Sequence, residues 1–215
     1  MDYSLFSWSV TDFFCYTILM ASALTFLSIP GWQNSPAEHW QSLWERSADG
    51  RIRRVAQRDW EQAERGEWVR GLEEAVAWTA APVVLIAHSL GVLAVAHWAA
   101  VSVNAGRVAG AFLVTPPDLD CVQRRPASLV SFAPVPTTPL PFPTLVVGSE
   151  TDPYATPERV ARMARDWGAR YVNAGALGHI NVASGHGPWP EGERLFAAFL
   201  QDDLGPEFAS IPVLA

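Results

Sequence analysis

The chain contains no lysine: all fifteen of its Lys and Arg residues are arginine. That absence excludes Schiff-base catalysis, a lysine-anchored pyridoxal site and a Walker A phosphate loop, each of which needs the amine. Cysteine is scarce too. Cys15 and Cys121 lie far apart without CxxC spacing, so neither a disulfide framework nor a zinc site is indicated, and a reducing cytoplasm is the expected compartment. Basic charge is limited, with a net charge of −7 and one short cluster, Arg51-Ile52-Arg53-Arg54. Such a surface is not a footprint for nucleic acid or for an anionic membrane, and the expected partner is a small molecule, with any protein partner left open. No motif calls for a cofactor or a metal. Serine, threonine and cysteine remain as nucleophiles.

Before Ser28 the chain is apolar and aromatic, yet it opens with Asp2 and carries no Lys or Arg before Arg46. A signal peptide begins with basic residues, so this reading is not supported. Residues 1–19 are expected to be an extension upstream of a start at Met20, residues 20–203 a single domain, and residues 204–215 a loosely packed tail.

Short apolar runs recur at Leu24 to Ile29, Arg51 to Val55, Val83 to Ala87, Gly110 to Val114, Thr144 to Val147 and Arg170 to Val172. Helical patterns separate most of them, at Pro36 to Glu45, Glu64 to Thr79, Leu90 to Val103, Pro157 to Trp167 and Glu191 to Gln201. Runs without polar alternation suit strands covered on both faces. The pattern predicts a three-layer α/β/α sandwich on a mostly or wholly parallel sheet of about six strands, the arginine-rich one at an edge. Five prolines between Phe132 and Pro143 make a stiff connection into the strand at Thr144, too short for a lid domain.

Within Val83 to Gly91, a serine closes an apolar β-run and opens a helix-forming stretch. This is the arrangement of a nucleophile elbow, a sharp turn that lifts the Ser89 hydroxyl clear of the sheet and aims unpaired helix N–H groups at it. Small residues two places either side let strand and helix approach, and Ala87 and Gly91 hold those places. The plain alternative is a helix N-cap serine. A hydrolase of this type needs an acid and then a histidine later in the chain. Asp152 lies just past the strand ending near Val147, with Pro153 biasing it toward extended backbone; Glu150 is the rival acid. His179 follows the last strand in a loop bent by Gly175 and Gly178, with His186 as the other candidate base. His179 would take the serine proton while Asp152 fixes its tautomer. His39 and His97 fall in helices and are expected to pack or face solvent, and on a strand's two-residue period His88 points away from Ser89. Two N–H donors are needed for an oxyanion, and Leu90 and Trp32 are expected to supply them.

These residues stand in a longer series: Pro30-Gly31-Trp32-Gln33-Asn34-Ser35-Pro36, His39-Trp40-Gln41, Asp59-Trp60, Ala87-His88-Ser89-Leu90-Gly91, Asp152-Pro153-Tyr154, Gly178-His179-Ile180-Asn181 and Trp189-Pro190-Glu191-Gly192. From about Thr25 to about Leu200 the chain resembles the small serine hydrolases that include the bacterial YdeN-like proteins and the vertebrate retinoblastoma-binding serine hydrolase. The resemblance implies a minimal, lidless α/β-hydrolase with Ser89, Asp152 and His179 as its triad, acting on small esters or amides without a cofactor. Two positions depart from the pattern: Ala87 replaces the commoner glycine, and Gln33 stands where glycine is frequent. A compact pocket lined by Gly31, Trp32, Asn34, His88 and Trp189 is expected beside Ser89. Acyl transfer to an acceptor other than water is a second enzymatic reading. Because fold does not dictate function, a protein-binding module with weak or lost turnover is the reading from another class.

Overall fold

The computed structural model describes residues 24–80, 82–123 and 125–205. The expectations about residues 1–19, and about the tail beyond Gly205, lie outside the described residues.

Among the described residues six parallel strands form one sheet in the order β2-β1-β3-β4-β5-β6. They are β1 (Thr25–Ile29), β2 (Ile52–Arg54), β3 (Val83–His88), β4 (Val108–Val114), β5 (Thr144–Gly148) and β6 (Arg170–Asn173). The central strands are buried on both sides because their residues alternate between two apolar clusters. Leu27, Ile29, Leu85, Ala87, Leu113 and Val146 face one, and Phe26, Val84, Ile86, Phe112, Val114 and Val147 face the other. The edge position of β2 suits its composition, since Arg53 and Arg54 direct guanidinium groups to Thr79 and Glu45 at the rim.

Among the described residues five α-helices cover the sheet: α1 (Trp40–Ser47), α2 (Arg65–Ala77), α3 (Leu90–Ala99), α4 (Pro157–Asp166) and α5 (Pro190–Phe199). Buried residues of α2, α3 and α4, such as Leu72, Leu93 and Met163, fill the first cluster; Trp40, Trp44 and Phe196 of α1 and α5 fill the second. This is the three-layer sandwich read from the sequence. Helix α4 starts as its sequence dictates, with Thr156 accepting the Arg159 N–H and proline in the first turn. Helix α1 begins four residues later than the pattern suggested. Gln33 and Asn34 have φ of 66°, and His39 instead caps the helix by accepting the Gln41 N–H on its ring. No helix among the described residues is long and apolar enough to cross a membrane.

Candidate active site

Ser89 has φ 55° and ψ −125°, a backbone conformation that side chains other than glycine rarely adopt. Two contacts hold it there. Its N–H donates to Val114 O at 2.9 Å, extending the sheet past β3, and its carbonyl accepts the Val92 N–H at 3.0 Å as α3 starts with Leu90. Gly91 explains why the turn can be so sharp: a Cβ there would stand 2.2 Å from Ile29 O and 2.6 Å from Pro30 O. Gly31 has the same role from the opposite side, since its Cβ would meet that of Ser89 at 2.7 Å. The loop after β1 is therefore pressed directly against the serine.

The His179 loop reaches Ser89 from beyond β6. Gly178 has φ 61° and lies so close to Ser184 that a Cβ would stand 2.6 Å from that residue's own. Thr151 Oγ1 accepts the Gly178 N–H, and Ser149 Oγ accepts that of Leu177, so the loops after β5 and β6 are tied together. Two donors, His88 Nε2 at 2.9 Å and Thr115 Oγ1 at 3.3 Å, hold the carbonyl of His179 itself. The imidazole that results is aimed at both partners: Nε2 is 2.8 Å from Ser89 Oγ, and Nδ1 is 3.0 Å from each carboxylate oxygen of Asp152. With the hydroxyl donating to Nε2, the ring proton sits on Nδ1 and donates to Asp152. Asp152 is held in turn by the Tyr154 N–H at 2.9 Å, and the Tyr154 ring packs edge-on against His179 with 4.5 Å between centroids.

The structure thus brings Ser89, Asp152 and His179 into one hydrogen-bonded line. Glu150 accepts from Asn173 and His186 pairs with Ser184, so neither rival belongs to it. The N–H groups of Trp32 and Leu90 have no hydrogen-bond partner among the described residues. The loop that carries Trp32 is braced from behind. Its indole donates to Glu61 O, the Gln33 N–H donates to Trp60 O, and Arg54 grips Asn34 Oδ1, Ser35 O and Glu45 together. Gln33 is exposed, its amide donates to Glu61, and it lines the cavity beside Trp32 and Asn34.

A cavity of about 430 Å³ opens over Ser89, and Gly31, Trp32, Asn34 and His88 line it as expected. Trp189 does not. It is 2 % exposed and packs with Trp40, Trp44 and Phe112 under α1 and α5, its ring lying over Gly192 where a Cβ would come within 2.1 Å. Its string in the sequence is a packing device. His88 also departs from the strand-period expectation: the positive φ of Ser89 breaks the alternation, and both side chains line the same cavity.

Sequence reasoning missed His39, which is 3 % exposed, lines the cavity and touches His88. Its place directly before Trp40-Gln41 signals a helix cap, and nothing in that signal points to the cavity. Burial, aided by the nearby Arg54 charge, lowers its pKa to about 3. His88, likewise buried, is held well below the usual histidine value for the same first reason. The carbon wall of the cavity was missed as well. Pro117, Leu119, Pro126 and Leu129 converge from the segment after β4, which carries no local motif.

The serine hydrolase family model matches residues 26–198. A YdeN-like hydrolase from Pectobacterium atrosepticum is 33 % identical, with a TM-score of 0.72 over 86 % of this chain and 95 % of its own. The ydeN gene product of B. subtilis is 14 % identical and superposes with a TM-score of 0.62 over 82 % and 97 %. The Pyrococcus furiosus esterase Pf2001 is also 14 % identical, at 0.61 over 85 % and 84 %. No curated protein sequence resembles the chain closely enough to count as a match. The family model spans the elbow, the acid and the histidine loop alike, and the chain belongs to the serine hydrolase family on the α/β-hydrolase fold.

Proposed function

We propose that the protein is a serine esterase that cleaves small carboxylic esters through an acyl-enzyme on Ser89, using only its own side chains and backbone. The observation that carries this reading is the line Ser89 Oγ, His179 Nε2, His179 Nδ1, Asp152, with separations of 2.8 Å and 3.0 Å. Ser89 Oγ attacks the ester carbonyl as its proton passes to His179 Nε2, and Asp152 stabilises the imidazolium. The carbonyl oxygen becomes an oxyanion for the N–H groups of Trp32 and Leu90. As the C–O bond to the alcohol breaks, Nε2 returns the proton to the departing oxygen. Water then attacks the acyl-enzyme by the same route, giving the acid and the free serine. A cavity of about 430 Å³ with a wall of Pro117, Leu119 and Leu129 suits a short apolar acyl group.

Ser89→Ala should lower kcat/KM for a short-chain aryl ester by about a thousandfold or more. It should also abolish the mass shift that a fluorophosphonate leaves on the folded wild-type chain. Retained turnover in that variant would overturn the assignment. A wild type that takes no adduct and hydrolyses nothing would bring forward the binding-module reading.

A further inference from the structure

The cavity has two chemically different walls. Pro117, Leu119, Pro126 and Leu129 make one of carbon, whereas Asn34, His39 and His88 make the other polar. The imidazoles on the polar side form a row with His179, 4.8 Å from His39 to His88 and 4.9 Å from His88 to His179 between ring centroids. The reaction described above uses only the last of them.

Partners settle the tautomers of the other two. His39 Nδ1 accepts the Gln41 N–H at 3.2 Å, so the proton of the neutral ring is on Nε2. His88 Nε2 faces the His179 carbonyl oxygen at 2.9 Å; a carbonyl only accepts, so the proton is again on Nε2 and Nδ1 keeps its lone pair. Burial keeps both rings neutral at ordinary pH. Among the described residues, His39 Nε2–H and His88 Nδ1 have no hydrogen-bond partner. A donor and an acceptor on adjacent rings of a cavity wall are left for a ligand or for water to satisfy. Asp118 is the one formally charged residue lining the cavity among those described, and Arg159 neutralises it. Nothing in the lining asks for a charged ligand.

Building on the esterase reading, we propose that His39 and His88 form a leaving-group subsite for a neutral, hydroxyl-bearing alcohol, His39 Nε2–H donating to it and His88 Nδ1 accepting from it. Every hydroxyl of a polyol can do both. The row continues from His179, whose Nε2 returns the serine proton to the departing oxygen, while the carbon wall suits the acyl chain. When Ser89 Oγ bonds to the carbonyl carbon and the C–O bond breaks, the departing oxygen takes the proton from His179 Nε2 and the neutral polyol is released on the histidine side.

The test compares kcat/KM for 2,3-dihydroxypropyl butyrate and propyl butyrate. Both yield the same butyryl-enzyme, so only the leaving alcohol differs. The wild type should favour the dihydroxypropyl ester by about fivefold or more, the worth of one or two neutral hydrogen bonds. Two variants separate recognition from capping. His39→Asn keeps an acceptor near the Nδ1 position and removes the reach of Nε2; His39→Gln places an amide N–H near Nε2 and gives up the cap. The preference should fall to near one in the Asn variant and survive in the Gln variant, while melting temperature moves the opposite way. A preference that follows melting temperature instead would make His39 a helix cap only and overturn the proposal. A wild-type ratio near one would overturn the subsite and leave the esterase reading standing. No turnover of either ester by the wild type would overturn both.

Discussion

The two faces of the sheet use tryptophan differently. Under α2, α3 and α4 the packing is mostly Val, Leu and Ala, and each buried tryptophan ties its element to another part of the chain through the indole N–H. Trp68 donates to Asp59 O, Trp98 to Glu73 and Trp167 to Pro136 O. Under α1 and α5 the rings of Trp40, Trp44, Trp189, Phe112 and Phe196 touch one another in a single cluster, and the indole N–H groups of Trp44 and Trp189 have no partner among the described residues. Trp40 is the exception, and its N–H reaches Ile180 O beside His179 at 3.0 Å. Next to it, Gln41 Nε2 donates to Ile86 O at 3.1 Å and Ile29 O at 3.3 Å. Helix α1 is thus a bracket joining the ends of β1 and β3 to the histidine loop. The first face holds the fold together, while the second also holds the site in position.

Substitutions on the two faces should separate these roles. The largest loss of stability is expected on the first face: Leu72→Ala, at a fully buried position, should cost about 2–5 kcal/mol in urea unfolding while the folded fraction keeps its kcat. A matching fall in kcat would show that the site depends on both faces.

Acid should act most on the second face, where two histidines, His39 and His88, are held neutral by burial against one, His97, under the first. His39 and His88 take up a proton near pH 6.5 in the unfolded chain, whereas in the fold His39 does so only near 3 and His88 also far below its ordinary value. Their contribution is therefore complete above pH 6.5 and is lost as the pH falls toward 3. Between pH 7 and 5 this amounts to up to about 2 kcal/mol for each ring. Urea midpoints measured at the two pH values read it directly, and equal midpoints would mean that both rings take up protons within the fold.

The smallest effect is the sharpest comparison. Trp40→Phe and Trp44→Phe remove similar volume from the same cluster, but only the first breaks a hydrogen bond. Trp40→Phe should be less stable than its neighbour by about 1 kcal/mol, and it alone should lower kcat/KM, because it releases the Ile180 carbonyl next to His179. Equal losses of activity would show that the cluster supports the site by bulk and that the bond has no special role.

Much of this was legible in the chain. Runs such as Val83 to Ala87 and Gly110 to Val114 are apolar at successive positions, which only a strand covered on both faces tolerates, and helical patterns between them force parallel crossovers. The Ser89 elbow was legible because its geometry has a local requirement, a small residue at Gly91 against Ile29 O. Asp152 and His179 were legible from order alone, each in the first loop past a strand. Trp189 and His39 were not. A buried tryptophan and a pocket tryptophan have the same sequence neighbours, and a histidine before a helix gives no sign of what lies across from its ring.

The sequence by itself determined the layer order, the elbow, and the chain order of serine, acid and histidine, since each follows from backbone sterics or hydrophobic period over a few residues. Only the tertiary structure decided which walls enclose Ser89. Leu119 and Leu129 come from beyond β4, His39 from beyond β1 and Val182 from beyond β6. Their meeting depends on how the sheet twists and how α1 packs across it, a sum of many weak, distant contacts that no short stretch of chain encodes.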